Sequence, residues 1–201
     1  MLLKSRFVEL FGTVKNNLFD YPVVRLGQYA KLQGGFAFKS KDFSNSGIPL
    51  VQISNVNKDY LNWEEINYLP ENYIEKYKDF SLNEGDLVMA MTRPIIKSLD
   101  SVKIAKIRKE DTPCLLNQRV GRFQLSNDLL NVFLEEICKT EDFKNYVEMM
   151  SGNSLQPNIS SKQVEDFTIV LPPIYKQKQF AAFVNQLDKL KFESYIKFIH
   201  Y

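Results

Sequence analysis

The sequence predicts an α+β (mixed α/β) fold: a domain of short strands and helices over roughly residues 20–172, with a short helix before it and a long one after it. Three observations carry this. Alternating or continuous apolar runs (IPLVQISNV, EGDLVMAMT, SVKIAKIRK and CLLNQRVGRFQL) occupy the chain up to residue 125, as strands require. The spacing then changes to threes and fours in SNDLLNVFLEEICKTEDFKNYVEMM, as helices require. Finally, the stretch from Ile174 to Ile199 contains neither Gly nor Pro.

Taken in order, Leu3, Phe7 and Leu10 or Phe11 fall on one side of a helix over residues 2–11, and Gly12 is a plausible stop. DYPVVRLGQYAKLQGG follows, and the main domain starts near Tyr21. The pair Gly34–Gly35 in LQGGFAFKS reads as a turn before a strand. Leu50, Gln52 and Ser54 alternate with Val51, Ile53 and Asn55, which suits a half-buried strand. EGDLVMAMT is a turn followed by a buried strand, and Asp86 there is a turn residue. SVKIAKIRK mixes Val102, Ile104 and Ala105 with Lys103, Lys106 and Arg108. CLLNQRVGRFQL reads as one further strand. Ser126 or Asn127 caps a helix from about 128 to 138, and a second helix covers about 141 to 150, with Glu135 and Glu136 on the surface. SGNSLQPNIS ends that second helix, and FTIVLPP supplies a short strand. Pro173 sits at the first position of the last helix, which at about 1.5 Å per residue is roughly 40 Å long. Along it Phe180, Phe183, Leu187 and Leu190 step by three, four and three, a heptad seam. That seam needs a partner, either the N-terminal helix or another chain.

Composition bounds the function. With 201 residues, 44% hydrophobic and 25% charged, the chain suits a folded domain with an extension. No apolar run reaches the length of a membrane span, and MLLKSRFVELFG carries charges where a signal peptide would be apolar. Cys114 and Cys138 form no CxxC pair, so a metal site is not expected and a reducing cytoplasm is. His200 is the sole histidine. The net charge of +2 conceals bands: residues 1–50 hold seven Lys/Arg against three Asp/Glu, and residues 87–122 hold eight against three, with acidic stretches between and after. Such bands suit a polyanion met by the basic segments.

Catalytic signatures are missing: the sequence has no GxSxG, no phosphate loop, no GxGxxG and no HExxH. Nucleic-acid features are better represented. AFKSKDF sets Lys39 and Lys41 on one side of an extended segment, with Ser40 between. MTRPIIKSLDSVK carries Arg93, Lys97, Ser98 and Lys103 on a connection between strands. NQRVGR offers Asn117, Gln118, Arg119 and Arg122. Arg bridges guanine O6 and N7, and Asn or Gln reads adenine. Trp63, among acidic neighbours, reads as core or rim.

These stretches carry a resemblance. GGFAFKSKDF, IPLVQISNV, EGDLVMAMT, LLNQRVGRF and above all GNSLQPNISSKQVEDFTIVLPPIYKQKQFAAFVNQLDKLK resemble the specificity subunit of type I restriction-modification systems, in family order from about 21 to 191. The resemblance implies an N-terminal helix or spacer end over 1–20, a target recognition domain with a twisted, mostly antiparallel sheet over 21–172, and a spacer helix over 173–201. It implies a non-catalytic subunit that binds double-stranded DNA and directs adenine methylation and restriction by methyltransferase and restriction subunits. S-adenosylmethionine, ATP and Mg then belong to those partners.

A usual specificity subunit has two recognition domains, and this chain resembles one half. It is expected to pair, as a homodimer or with a second half, through the helix bearing Phe180, Phe183, Leu187 and Leu190. The resemblance adds Asn153 and Gln156, in SGNSLQPNIS, as phosphate contacts or as scaffold. It places base readout in the less family-like stretches 56–68 and 92–101. The rival reading is a truncated module, silent toward DNA, that only docks the methyltransferase; a stand-alone enzyme comes third.

Overall fold

The computed structural model describes residues 2–152 and 154–199. Helix α1 (Leu2–Phe11) ends as the sequence predicts: Gly12 takes φ +73° and its amide donates to the Val8 carbonyl at 2.8 Å, a left-handed stop open to glycine. The strand-rich part runs β1 (Val23–Arg25), β2 (Ala30–Gly34), β3 (Ile48–Val51), β4 (Lys58–Asp59), β5 (Tyr68–Leu69), a single turn of helix α2 (Tyr73–Lys76), and β6 (Ser81–Leu82). It continues with β7 (Leu87–Ala90), β8 (Ile95–Ile96), β9 (Ser101–Val102), β10 (Ile104–Lys106), β11 (Cys114–Leu116) and β12 (Val120–Leu125). Helices α3 (Asn131–Cys138), α4 (Glu141–Ser151) and α5 (Ser161–Glu165), strand β13 (Thr168–Val170) and helix α6 (Ile174–Ile199) follow.

Several local expectations are corrected. CLLNQRVGRFQL is two strands in two different sheets, β11 and β12, because the chain turns at 117–119: the Val120 amide donates to the Asn117 carbonyl and Arg119 takes φ +68°. Gly34 and Gly35 close β2 instead of preceding a strand. A Cβ on Gly35 would lie 2.2 Å from the Asn117 carbonyl oxygen, so only glycine permits this approach. Helix α3 starts later than predicted, with Leu130 and not Ser126 or Asn127 at the cap position. Helix α5 adds to the predicted elements, and SSKQ carries its signal. The Ser160 hydroxyl accepts from the Gln163 amide, and the Gln163 side chain accepts from the Ser160 amide, a capping box. Pro173 stands just outside α6, its carbonyl accepting from Lys176 and Gln177.

The sheet is divided. Strands run β2-β12-β7-β10-β4 in a five-stranded sheet and β5-β3-β11-β6 in a four-stranded one, with two-stranded ribbons β1-β13 and β8-β9. The β4–β10 and β3–β11 pairs are parallel and the other described pairs antiparallel. Strand β7 sits between two apolar layers. Leu87 and Met89 join the core shared with the helices, while Val88 and Ala90 join the core shared with Val51, Leu116 and Ile107. Burial on both faces explains why its sequence is continuously apolar.

Four phenylalanines tie the end helices together. Phe7 and Phe11 of α1, Phe133 of α3 and Phe180 of α6 pack with ring centroids 4.9–5.5 Å apart. Phe180, the first residue of the α6 seam, thus finds its partner in the N-terminal helix and is core, 2% exposed. The inward stripe of α6 is Phe180 with Val184, whereas Phe183 and Leu190 face outward, 36% and 52% exposed. Leu187 is half-buried beside Leu3 and Arg6 of α1.

Candidate nucleic-acid interface

Strand pairing brings four chain segments to one end of the five-stranded sheet. Gly34 pairs with Gly121, Ala90 with Val120, and Met89 with Ile104. The last residues of β2 and β7 and those just before β10 and β12 therefore lie side by side. This juxtaposes Phe36, Met91–Arg93, Lys103 and Gln118–Arg119. Backbone hydrogen bonds fix them: Gln118 amide to Phe36 carbonyl at 2.8 Å, Met91 amide to Arg119 carbonyl at 2.7 Å, and Ala90 amide to Lys103 carbonyl at 3.0 Å.

The polar segment after α4 completes this end. The Arg93 amide donates to the Pro157 carbonyl at 2.8 Å and the Ile159 amide to the Met91 carbonyl at 2.9 Å. The Thr92 hydroxyl donates to the Asn158 side-chain oxygen, and Asn158 donates to the Gln156 carbonyl at 2.7 Å. Exposed Gln156 thus stands beside Arg93. Asn153 lies outside the described residues, as does His200. Residues 156–159 of this polar stretch form a strap over the end of the sheet, and the Pro157 carbonyl and Ile159 amide make strand-like pairing that the composition does not announce.

Arg93 and Arg119 take φ +48° and +68°. The left-handed region costs a non-glycine residue on the order of 1 kcal/mol, and such costs gather at functional sites. Both side chains are exposed. Among the described residues, no ion pair holds Arg93, Lys97, Lys103 or Arg119, whereas Lys31 pairs with Glu165 at 3.0 Å and Lys144 with Asp100 at 2.6 Å. Lys103 is half-buried, its Nζ 3.4 Å from the Ile53 carbonyl. Burial, and then the Arg93 guanidinium, hold its pKa below the usual lysine value.

Lys97 and Ser98 lie apart from this cluster, on an exposed 3-10 turn at the tip of the β8–β9 hairpin. The hairpin base closes where the Lys103 amide meets the Pro94 carbonyl at 2.6 Å. At about 3.3 Å per residue, the tip stands roughly 10 Å beyond that base. Asp100, φ +45°, accepts from Lys144 of α4, which ties the tip to the helices. Lys39, Ser40 and Lys41 are exposed on a turn of their own. The expected extended segment is a 3-10 turn, because the Asp42 side chain accepts the Lys39 amide at 3.2 Å and the Asp42 amide donates to the Lys39 carbonyl.

Other polar candidates prove structural. Arg122 donates to the Ser81 and Asp79 carbonyls and to Gln33, with a side chain only 14% exposed. Asn117 is buried. The Trp63 indole donates to Asp111 at 2.7 Å, a rim role as expected, and Asp86 closes its turn by accepting from the Asn83 amide. Glu136, read as surface, is buried. Burial raises its pKa, with Lys139 opposing the shift through a 3.1 Å contact. The same lysine reaches Glu135 and Asp59, so it neutralises a pocket that three acids share. Among the described residues, no group of three or more His, Cys, Asp or Glu suits a metal ion, and no helix is long and apolar enough to cross a membrane.

A family model for the type I restriction modification DNA specificity domain matches residues 20–197. The chain belongs to this family. As a specificity domain it is similar to the type I restriction enzyme MjaVIII specificity subunit of Methanocaldococcus jannaschii, 33% identical over 85% of this chain and 40% of that protein. The EcoAI specificity subunit of Escherichia coli is 33% identical over 83% of this chain and 27% of that protein. The chain therefore spans less than half the length of these curated relatives. Its fold is similar to that of the HsdS subunit from Thermoanaerobacter tengcongensis, with a TM-score of 0.58 at 17% identity over 94% of this chain and 43% of that one. A chain from a structure of type I R-M complex assembly gives 0.65 at 17% identity, over 94% and 44%.

Proposed function

We propose that this chain is a non-catalytic, sequence-specific DNA-recognition module of a type I restriction-modification complex, one domain reading one half of a split site. The observation that carries this reading is the gathering of Arg93, Lys103, Arg119 and the Gln156 strap at one end of a sheet, without carboxylates in ion-pair reach among the described residues. Cations so held favour a polyanion, and their contacts make affinity steeply salt-dependent, with a log–log slope near −0.9 per neutralised phosphate. The chain works in the cytoplasm with methyltransferase and restriction subunits, which carry S-adenosylmethionine, ATP and Mg. The outward apolar residues of α6, Phe183 and Leu190 with half-buried Leu187, support pairing with a second half, whether another copy or a different one.

The test is genome-wide mapping of adenine methylation in cells expressing this chain with its cognate methyltransferase. A new split motif is the expected result. Association of the two proteins with no new methylation overturns DNA recognition and favours a docking module.

A further inference from the structure

Resting on that DNA-binding reading, we infer that Arg93 and Lys103 form a two-cation clamp on one DNA phosphate at the base of the β8–β9 hairpin, and that sequence is read beyond it, at the tip carrying Lys97 and Ser98.

The division follows from how each pair is held. Arg93 and Lys103 stand on backbone held by hydrogen bonds to neighbouring segments. The Arg93 amide is tied to Pro157, the Lys103 amide to Pro94, and the Lys103 carbonyl receives the Ala90 amide of β7. Lys103 also spends most of its stem against the protein, with its ammonium near the Ile53 carbonyl, so it has little free reach into a groove. The Lys103 amide donates to the carbonyl of Pro94, the residue next to Arg93, so two like charges stand side by side; burial, and then the Arg93 charge, weaken the lysine's hold on its proton. Among the described residues no carboxylate bridges them. An anion between them relieves the repulsion and offsets the cost of the lysine's burial by opposite charge, and a phosphodiester is the anion that DNA presents at regular spacing. Contacts to phosphate fix position and carry no sequence information.

The tip differs in each respect. Lys97 and Ser98 are exposed on a short 3-10 turn, roughly 10 Å beyond the clamp. B-DNA's major groove is about 8.5 Å deep, so a tip at that distance from a backbone anchor can reach base edges. The Asp100–Lys144 pair aims it from behind.

The test uses the full chain with its methyltransferase subunit and two readouts. One is affinity for several unrelated 30-base-pair duplexes across a KCl series; the other is the methylated motif in cells. The variants are Arg93→Asn, since Asn tolerates the left-handed backbone; Lys103→Met, which keeps the stem; and Lys97→Ala with Ser98→Ala. Circular dichroism checks that each folds, and Lys103→Arg restores the charge.

The clamp predicts that Arg93→Asn and Lys103→Met weaken binding severalfold by the same factor on every duplex. Combining Arg93→Asn with Lys103→Met flattens the salt slope by about 0.9, the value for one phosphate, while the methylated motif stays unchanged. Lys103→Arg recovers the loss, and the tip variants relax the motif. A motif altered by Arg93→Asn or Lys103→Met overturns the clamp, as does unchanged affinity in folded variants of a chain that binds DNA. If the parent complex binds no duplex and methylates no motif, the DNA reading itself fails.

Discussion

The Arg93 amide donates to the Pro157 carbonyl at 2.8 Å, across more than sixty residues of chain. This contact joins the exit of a central strand to a polar strap, and Asn158 secures it from the next position by accepting from the buried Thr92 hydroxyl. Asn158→Ala leaves that hydroxyl without its partner, which costs about 1–3 kcal/mol. Urea denaturation is expected to show the loss, and DNA affinity should fall with it because Arg93 is displaced.

Gln177, fully buried in α6, makes three contacts of this load-sharing kind. Its oxygen accepts from the Leu130 amide at 2.9 Å, and its nitrogen donates to the Asp128 and Pro172 carbonyls at 2.9 Å each. It thereby ties the start of α6 to the start of α3. Gln177→Leu preserves much of the volume but orphans three backbone groups, so a loss of about 2 kcal/mol or more is expected in equilibrium unfolding.

The two ends of the α6 seam should respond differently. Phe180→Ala empties the four-phenylalanine cluster and should cost roughly 3–5 kcal/mol. Leu190→Ala, at an exposed position, should change monomer stability by less than about 0.5 kcal/mol. If α6 pairs with a second half, Leu190→Asp weakens assembly in light scattering while the melting curve of the isolated chain is preserved.

Much of the fold was legible in the sequence because periodicity reports burial directly. Strand β7, both end helices and the helix–strand order follow from where apolar residues recur. What periodicity cannot register is pairing across the chain. Arg122 and Arg119 belong to one six-residue motif, yet one is enclosed by Gln33, Ser81 and Asp79 and the other is exposed. Strand register decides between them. Gln177 looks like any polar residue on an amphipathic helix, and Asn158 like any loop asparagine, until the segments they meet are in place. The capping box of α5, by contrast, is written locally, in SSKQ.

Asp100→Asn tests whether the hairpin tip is aimed. The residue anchors the tip through Lys144, whose pKa the Asp100 hydrogen bond raises. Removing the charge should leave thermal stability close to the parent's while lowering selectivity between cognate and unrelated duplexes. Charge reversal at both positions, Asp100→Lys with Lys144→Asp, is expected to restore part of it.

Both cysteines should be inert while the protein is folded. Burial pushes the Cys114 thiol up to about 12, with Asp111 and Asp86 adding to the shift, and holds the fully buried Cys138 well above its usual range. Little thiolate exists at neutral pH, and the thiolate is the nucleophile. Reaction with a disulfide reagent is expected to be slow in buffer and to accelerate with the unfolding transition in denaturant.

Strands β1 and β13 meet in antiparallel register, Val23 opposite Val170 and Arg25 opposite Thr168. The pairing is extended by the Leu26 amide on the Phe167 carbonyl and the Leu171 amide on the Pro22 carbonyl. The chain thus enters and leaves the sheets through a single doorway, with α1 and α6 clasped together just outside it. Geometrically, everything from Leu26 to Phe167 is one large loop on a helical stalk. Domain insertions succeed where entry and exit lie close together, so this arrangement lets the strand-rich domain be exchanged as a unit. A different sequence of similar span can occupy the doorway and leave the stalk in place, provided it still supplies the contacts that Phe133, Asp128 and Leu130 make with α1 and α6.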